Sequence, residues 1–180
     1  MEAEGKTVAY YLEQAQSMEE EEFTTTFNHP VLIEKLGVFP HEALSLLSGT
    51  VIVQNNFDVT KLAAEAVEQD ILTAKVFPLR KRPGSMGTDI FVGRAPTNDI
   101  ILASRSVSKS HAQFTPIPDT GTYEIADMFS SNGTFLNDQK IHPFEKHQVN
   151  DRDKIRFGPD YLLIYCSPRA FYEVLKSLGV

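Results

Sequence analysis

The spacing of apolar residues changes near residue 72, from the period of a helix to the period of a strand. In the first part, "TVAYYLEQAQSM" at residues 7–18 places apolar side chains at the i, i+3, i+4 and i+7 positions of an amphipathic helix. Pro30 suits the first turn of a helix and Gly37 suits the position just past its end. The segment "HPVLIEKLG" therefore predicts a second helix.

Three further segments of the first part carry local signals. Pro40 and Gly49 bracket "FPHEALSLLSG", and "DVTKLAAEAVEQDIL" begins with capping residues, so each predicts an amphipathic helix. The run "TVIVQ" at residues 50–54 predicts a short strand between them. Residues 1–70 are therefore expected to form a mostly helical extension.

After residue 72 the chain is divided into short β-rich runs such as "TDIFVG", "HAQFTPI" and "YLLIYC", separated by turn clusters such as "RPGSMG" and "SSNG". Short strands at this spacing are typical of an antiparallel sandwich or barrel. Residues 72–166 thus predict a mainly β fold, an antiparallel β-sandwich. Ser167 as N-cap and Pro168 at the first helical position predict a C-terminal helix over residues 167–180. Its apolar face is expected to pack against the sandwich.

The charge of the chain is distributed unevenly. Residues 1–74 carry 13 acidic and 3 basic side chains, a net of −10, whereas residues 75–180 carry 11 acidic and 14 basic ones, a net of +3. This small basic excess, without a helix-turn-helix signature, argues against a nucleic-acid partner. No apolar run approaches the length of a membrane span, and no secretory signal peptide is visible, so we expect a cytoplasmic protein with no membrane partner.

Polar side chains gather where the predicted strands end. Arg94 follows the strand "DIFVG", Ser108 and Lys109 precede "HAQFTPI", and "SSNG" forms a turn. Such connections can meet at one end of a sandwich. An arginine fork binds phosphate strongly, serine hydroxyls and turn N–H groups complete an anion site, and an asparagine amide can hold a peptide main chain. The sequence therefore predicts recognition of a phosphorylated peptide.

The pair Ser108 and His111 also has the residue types of a nucleophile and its base. A serine hydrolase needs in addition a third orienting group and an oxyanion hole, and it usually presents its serine in a G-x-S-x-G turn. The chain has no G-x-S-x-G, so we expect no catalytic residues and no enzyme activity. The scattered histidines and Cys166 match no metal-ligand spacing, so no metal or other cofactor is expected.

Several short motifs occur in a fixed order over about residues 75–166. They are Gly93-Arg94, Asn98-Asp99-Ile100, Ser108-x-x-His111-Ala112, Asp127, Ser131-x-Gly133-Thr134, Asn137 and Ile155-x-Phe157-Gly158. Together they resemble the forkhead-associated (FHA) domain, and the resemblance implies an antiparallel β-sandwich that binds phosphothreonine peptides through loops at one end.

The resemblance also implies which residues contact the ligand. Arg94 would contact the phosphate, Ser108 would donate a hydroxyl bond to it, and Lys109 would add charge. Ser131 would reach the phosphate or the peptide, and Asn132 would bond to the peptide main chain.

Other residues would support these loops. Gly93 and Gly133 would permit close turns, and His111 would brace the loop that carries Ser108. A departure from the family pattern is "NDRD" at residues 150–153, which replaces the usual Gly-Asp and puts the geometry of that turn in doubt.

The function implied is that of an adaptor or regulator in Ser/Thr kinase signalling, with a phosphothreonine-containing protein as partner and a Ser/Thr kinase upstream. The alternative is a structural or assembly scaffold whose helical half makes the contacts without phosphate. One further hypothesis concerns "EEEEFTTTF". If Thr24, Thr25 or Thr26 were phosphorylated, the module could bind its own N-terminal segment. The competing interpretation is a polar connector between helices.

Overall fold

Two β-sheets form the framework of the described part of the protein. The structure is a computed structural model, and it describes residues 6–34 and 70–178. The six-stranded sheet has the order β2-β1-β11-β10-β7-β8, and the five-stranded sheet has the order β4-β3-β5-β6-β9. The strands are β1 (Val31–Glu34), β2 (Val76–Pro78), β3 (Ile90–Gly93), β4 (Ile100–Ile101), β5 (Ala112–Pro116), β6 (Tyr123–Asp127), β7 (Thr134–Leu136), β8 (Gln139–Lys140), β9 (His147–Val149), β10 (Lys154–Phe157) and β11 (Tyr161–Cys166).

The two sheets face each other across one apolar core. Neighbouring strands are antiparallel, except that β3 and β4 run parallel. Leu32 and Leu163 of the six-stranded sheet share a buried cluster with Phe114 and Ile125 of the five-stranded sheet. The alternation of inward and outward side chains along each strand produces this core. The predicted antiparallel β-sandwich is therefore confirmed.

The helix predicted for "HPVLIEKLG" is wrong over Val31–Glu34, which form strand β1. Leu32 pairs with Phe77 on one side and with Tyr165 on the other, so β1 lies inside the six-stranded sheet. Both faces of this strand are covered, and its sequence is therefore a continuous apolar run that lacks the alternation of a half-exposed strand. Pro30 precedes the strand, and Gly37 lies outside the described residues.

The helices predicted at the two ends of the described chain are confirmed. Helix α1 covers Val8–Ser17, and the C-terminal helix, here α3, covers Pro168–Leu178. The hydroxyl of Ser167 accepts a hydrogen bond from the N–H of Ala170 at 3.2 Å, which is the predicted N-cap. A short helix α2 covers Glu20–Thr26, so the three threonines lie in a helix and not in a connector. The predictions for residues 35–69 fall outside the described residues.

A second apolar core lies on the outer face of the six-stranded sheet, the face turned away from the five-stranded sheet. Val31, Val76 and Cys166 project from this face and are buried against the helices. Phe23 of α2 and Phe171 of α3 belong to the same cluster. The C-terminal helix thus packs on the sandwich together with α1 and α2. Among the described helices, none is long and apolar enough to cross a membrane.

The first two strands are neighbours in the sheet but are separated by 41 residues in the sequence. Strands β1 and β2 are antiparallel neighbours, yet residues 35–75 separate them along the chain. The sandwich therefore takes one strand from the part of the chain that the pattern assigned to a helical extension.

We expect Leu32→Ala to lower the free energy of unfolding by about 2 to 5 kcal/mol, because it empties a buried volume in the sandwich core. Urea denaturation followed by circular dichroism measures this change. The matched control is Thr25→Ala, which alters an exposed position on α2 and is expected to change stability little. A Leu32→Ala cost no larger than that of the control would contradict the placement of β1 in the core.

Candidate functional site

Three loops at one end of the sandwich enclose an open depression of about 360 Å³. The loops connect β3 to β4, β4 to β5 and β6 to β7. All five residues predicted to contact a ligand line the depression, and so do Arg105, Ser106 and Phe129. The five are Arg94, Ser108, Lys109, Ser131 and Asn132.

Arg94 is fixed at its base and exposed at its tip. Its backbone N–H donates to the carbonyl of Ser108 at 2.8 Å, and its Nε donates to the carbonyl of Val107 at 3.2 Å. Its terminal guanidinium nitrogens donate to none of the described residues, so they are available to an external anion. The close approach of the two loops requires Gly93, because a Cβ there would collide with the carbonyl oxygen of Lys109.

Ser108 connects two of the loops through its hydroxyl. The Oγ of Ser108 accepts the N–H of Ser131 at 3.0 Å and lies 3.4 Å from the Oγ of Ser131. Two hydroxyls and one backbone N–H therefore converge at the floor of the depression. The two hydroxyls can turn their hydrogens toward a phosphate oxygen with little rearrangement.

His111 is fully buried beneath Ser108 and joins the same two loops from below. Its Nδ1 accepts the N–H of Ser108 at 2.9 Å, and its Nε2 lies 3.1 Å from the carbonyl oxygen of Gly133. Nε2 must then carry the hydrogen, so the ring is neutral. Burial lowers the pKa of His111 below 6.5, although the Gly133 carbonyl and the Asp127 carboxylate act in the opposite direction.

Asp127 organises the loop between β6 and β7. Burial raises the pKa of Asp127, but bonds from Ser130 and Thr134 outweigh it, so the pKa lies below the usual value. Both hydroxyls donate to Oδ2 at 2.6 Å, and the N–H of Ser130 donates to Oδ1 at 2.9 Å. The hydroxyl of Ser130 in turn accepts the N–H of Gly133, which adopts a φ of +82°. The carboxylate thus shapes the turn that presents Ser131 and Asn132.

Asn132 and the basic residues lie at the rim of the depression. The Nδ2 of Asn132 donates to the carbonyl of Ser106 at 2.9 Å, which holds the amide beside the opening. Arg94, Arg105 and Lys109 are exposed, and no carboxylate is among the described residues that line the depression. The site is therefore a local region of positive charge on a chain with a net charge of −7.

Phe129 is a lining residue that the sequence pattern did not single out. Its side chain is 78% exposed, and its backbone has a φ of 58°, a left-handed conformation that is rare for a residue with a Cβ. The only sequence signal is an aromatic residue inside a turn of serines and asparagine. Phe129 therefore adds an apolar side chain to the mostly polar lining of the depression.

Comparison with known proteins identifies the sandwich. Residues 90–158 match the family model described as FHA domain. The transcriptional regulatory protein EmbR of Mycobacterium tuberculosis is 31% identical over 147 residues, covering 69% of this chain and 35% of EmbR. The oxoglutarate dehydrogenase inhibitor of Corynebacterium diphtheriae is 33% identical over 78 residues, covering 43% of this chain and 51% of the inhibitor. An FHA domain from Chlamydia trachomatis has a TM-score of 0.49 at 18% identity, over 77% of this chain and 97% of that one.

The chain contains an FHA domain, as the motifs predicted. The structure adds β1 to this domain, so the sandwich begins at Val31 and not near residue 75. The chain spans about a third of EmbR and about half of the inhibitor.

We expect the ring of His111 to be neutral at about pH 7, with its hydrogen on Nε2. Because burial lowers its pKa, the unfolded chain takes up a proton first as the pH falls below 6.5. The contribution of His111 to stability is therefore complete above pH 6.5 and is lost below it, down to the pKa of the folded ring. Long-range ¹H–¹⁵N NMR spectra recorded across this range report the tautomer and the titration. A hydrogen on Nδ1, or protonation of the folded ring at pH 6.5, would contradict the arrangement.

Proposed function

We propose that the depression binds a phosphothreonine peptide and that the protein acts as an adaptor or regulator in Ser/Thr kinase signalling. The observation that carries the proposal is the convergence of Arg94 with the hydroxyls of Ser108 and Ser131, in a depression whose described lining holds no carboxylate. Phosphothreonine recognition is the activity that the FHA family implies. The names of the relatives, a regulatory protein and an inhibitor, agree with a regulatory role.

Each of the five residues predicted to contact the ligand has a part in the proposed recognition. The terminal nitrogens of Arg94 and the Nζ of Lys109 neutralise the phosphate, since charge-assisted bonds are the strong ones. Ser108 and Ser131 donate hydroxyl bonds, and Asn132 bonds to the peptide main chain beside the phosphothreonine. Gly93, His111 and Gly133 hold the loops that carry these groups.

Binding without turnover is part of the proposal. A serine nucleophile needs a base that takes the proton from its hydroxyl. In this structure the Nδ1 of His111 accepts the backbone N–H of Ser108, while the serine hydroxyl bonds to Ser131. The histidine is thus engaged in holding the loop. We place the activity in the cytoplasm; the one cysteine of the chain, Cys166, cannot form an internal disulfide, so the protein is not a disulfide-built secreted scaffold.

We expect Arg94→Ala to weaken binding of a phosphothreonine peptide by roughly tenfold or more, because it removes charged hydrogen bonds to the phosphate. Titration calorimetry against a phosphothreonine peptide library measures the loss. The matched control is Arg80→Ala, which removes an exposed arginine that does not line the depression.

The unphosphorylated peptides and phosphoserine versions complete this test. We expect no binding of the former and weaker binding of the latter. Binding that persists without phosphate, or equal affinities of the Arg94→Ala variant and the parent, would contradict the proposed function. Phosphate-independent association through the helices would instead favour the scaffold alternative.

We further propose the protein's own N-terminal segment as a ligand after phosphorylation. Thr25 and Thr26 are exposed in α2, whereas Thr24 donates its hydroxyl to the carbonyl of Glu20. A phosphate near the C-terminal end of a helix, beside glutamates, destabilises that helix. Phosphorylation would therefore favour release of the segment in the extended form that a peptide site needs.

We expect a peptide of residues 19–28 phosphorylated on Thr25 or Thr26 to bind the full chain, and the unphosphorylated peptide not to bind. Fluorescence anisotropy with a labelled peptide measures this, and Arg94→Ala is the control for the site. Absence of binding by the phosphorylated peptides would refute this ligand while leaving other phosphothreonine proteins as partners.

A further inference from the structure

A row of basic and apolar side chains crosses the part of the outer face of the six-stranded sheet that the described helices do not cover. The pairs are Leu162 with Arg156, Arg156 with Phe135, and Phe135 with Lys140. Residues paired directly across antiparallel strands project from the same face of a sheet. Ile155 and Phe157, on either side of Arg156, are in the sandwich core, so Arg156 and the whole row project outward. We call these four residues the outer row.

The outer row lies on the half of this face that α1, α2 and α3, the helices of residues 6–34 and 70–178, leave open. Helices α1, α2 and α3 cover the other half, where Val31, Val76 and Cys166 are buried. Lys140 is exposed, and the other three members of the outer row are partly exposed.

The basic groups of the outer row are held in place but not neutralised. The guanidinium of Arg156 stacks on the ring of Phe135, with 3.9 Å between Cζ and the ring centroid, and its Nη1 donates to the carbonyl of Gly158 at 2.9 Å. Among the described residues, no carboxylate lies within 4.0 Å of the charged groups of Arg156 or Lys140. Their remaining donors are therefore available to an anionic partner.

The outer row is continuous with the candidate phosphopeptide site. Gly158, which accepts the bond from Arg156, is in contact with Asn132 and Ser106 at the rim of the depression, leaving no room for a Cβ. At the other end, the aliphatic chain of Lys140 lies over Gly133, the residue that follows Asn132. The Cε of Lys140 is 2.5 Å from the position that a Cβ on Gly133 would occupy. Two of the loops or turns that form the rim thus contact members of the outer row.

We propose that the outer row binds acidic residues that flank the phosphothreonine of the ligand. This inference rests on the proposed function. An extended peptide advances about 3.3 Å per residue, so a chain held by Asn132 reaches the outer row within a few residues. Aspartate and glutamate complement Arg156 and Lys140, and the aliphatic part of a glutamate side chain fits beside Phe135. The outer row therefore makes this domain selective for phosphothreonine in acidic surroundings.

The experiment compares the binding of two matched sets of phosphothreonine peptides to the full chain. Each peptide has glycine and alanine beside the phosphothreonine. The peptides of one set carry four glutamates, placed either before or after the phosphothreonine. The peptides of the other set carry four glutamines at the same positions. Fluorescence anisotropy at low and at high salt measures the affinities. We expect the better-placed glutamate peptide to bind roughly threefold to tenfold more tightly than its glutamine counterpart at low salt, with the difference reduced at high salt.

The variant Lys140→Gln isolates the outer row from the phosphate site. We expect it to remove much of the preference for glutamate and to leave the affinity for the glutamine peptide unchanged, while Lys140→Arg keeps the preference. The control is Lys146→Gln, an exposed lysine that pairs with Glu124 of the five-stranded sheet.

The outcomes distinguish failure of the outer-row proposal from failure of the proposed function. If the glutamate and glutamine peptides bind equally well and both need the phosphate, the proposed function stands and the role of the outer row is refuted. A glutamate preference that survives Lys140→Gln unchanged also refutes the role of the outer row. If neither peptide binds in a phosphate-dependent way, both proposals fail.

Discussion

The candidate site of this protein depends on one buried, neutral imidazole. His111 accepts a backbone N–H from the loop that carries Ser108 and donates to a backbone carbonyl of the loop that carries Ser131 and Asn132. The ring holds the two loops together without adding charge to the site. The positive charges among the described lining residues therefore belong to exposed side chains, Arg94, Arg105 and Lys109, which are free to turn toward a ligand.

The other supports of the site follow the same principle, in which buried polar groups satisfy one another and leave the surface groups available. The carboxylate of Asp127 binds the hydroxyls of Ser130 and Thr134, and Asn98 is buried with its Nδ2 donating to the carbonyls of Ala95 and Lys109. Loops fixed in this way would lose little conformational entropy on binding the proposed peptide. A shallow, open site can then bind through a small number of charged contacts.

Local motifs predicted the sandwich and the residues that line the site, because each motif reflects a local requirement such as a close approach or an anion-binding group. The pattern misassigned Val31–Glu34, since burial on both faces makes a strand look like any other apolar run. Phe129 was not predicted as a lining residue, because its exposure and its left-handed backbone conformation follow from the geometry of the loop. The outer row could not be predicted either, because it depends on the register in which β7, β8, β10 and β11 pair, and no local motif specifies that register.

The position of β1 also constrains the order in which the protein can fold during synthesis. Ile33 of β1 pairs with Val76 of β2 and Ile164 of β11, so this strand emerges long before either of its neighbours. Strand pairings between segments that are far apart in the sequence form slowly, and unpaired apolar strands promote aggregation. Until β11 has left the ribosome, β2 is the only one of its two native neighbours with which the apolar run at residues 31–33 can pair. Completion of the six-stranded sheet therefore waits for β11, the strand that connects the β1–β2 pair to β10.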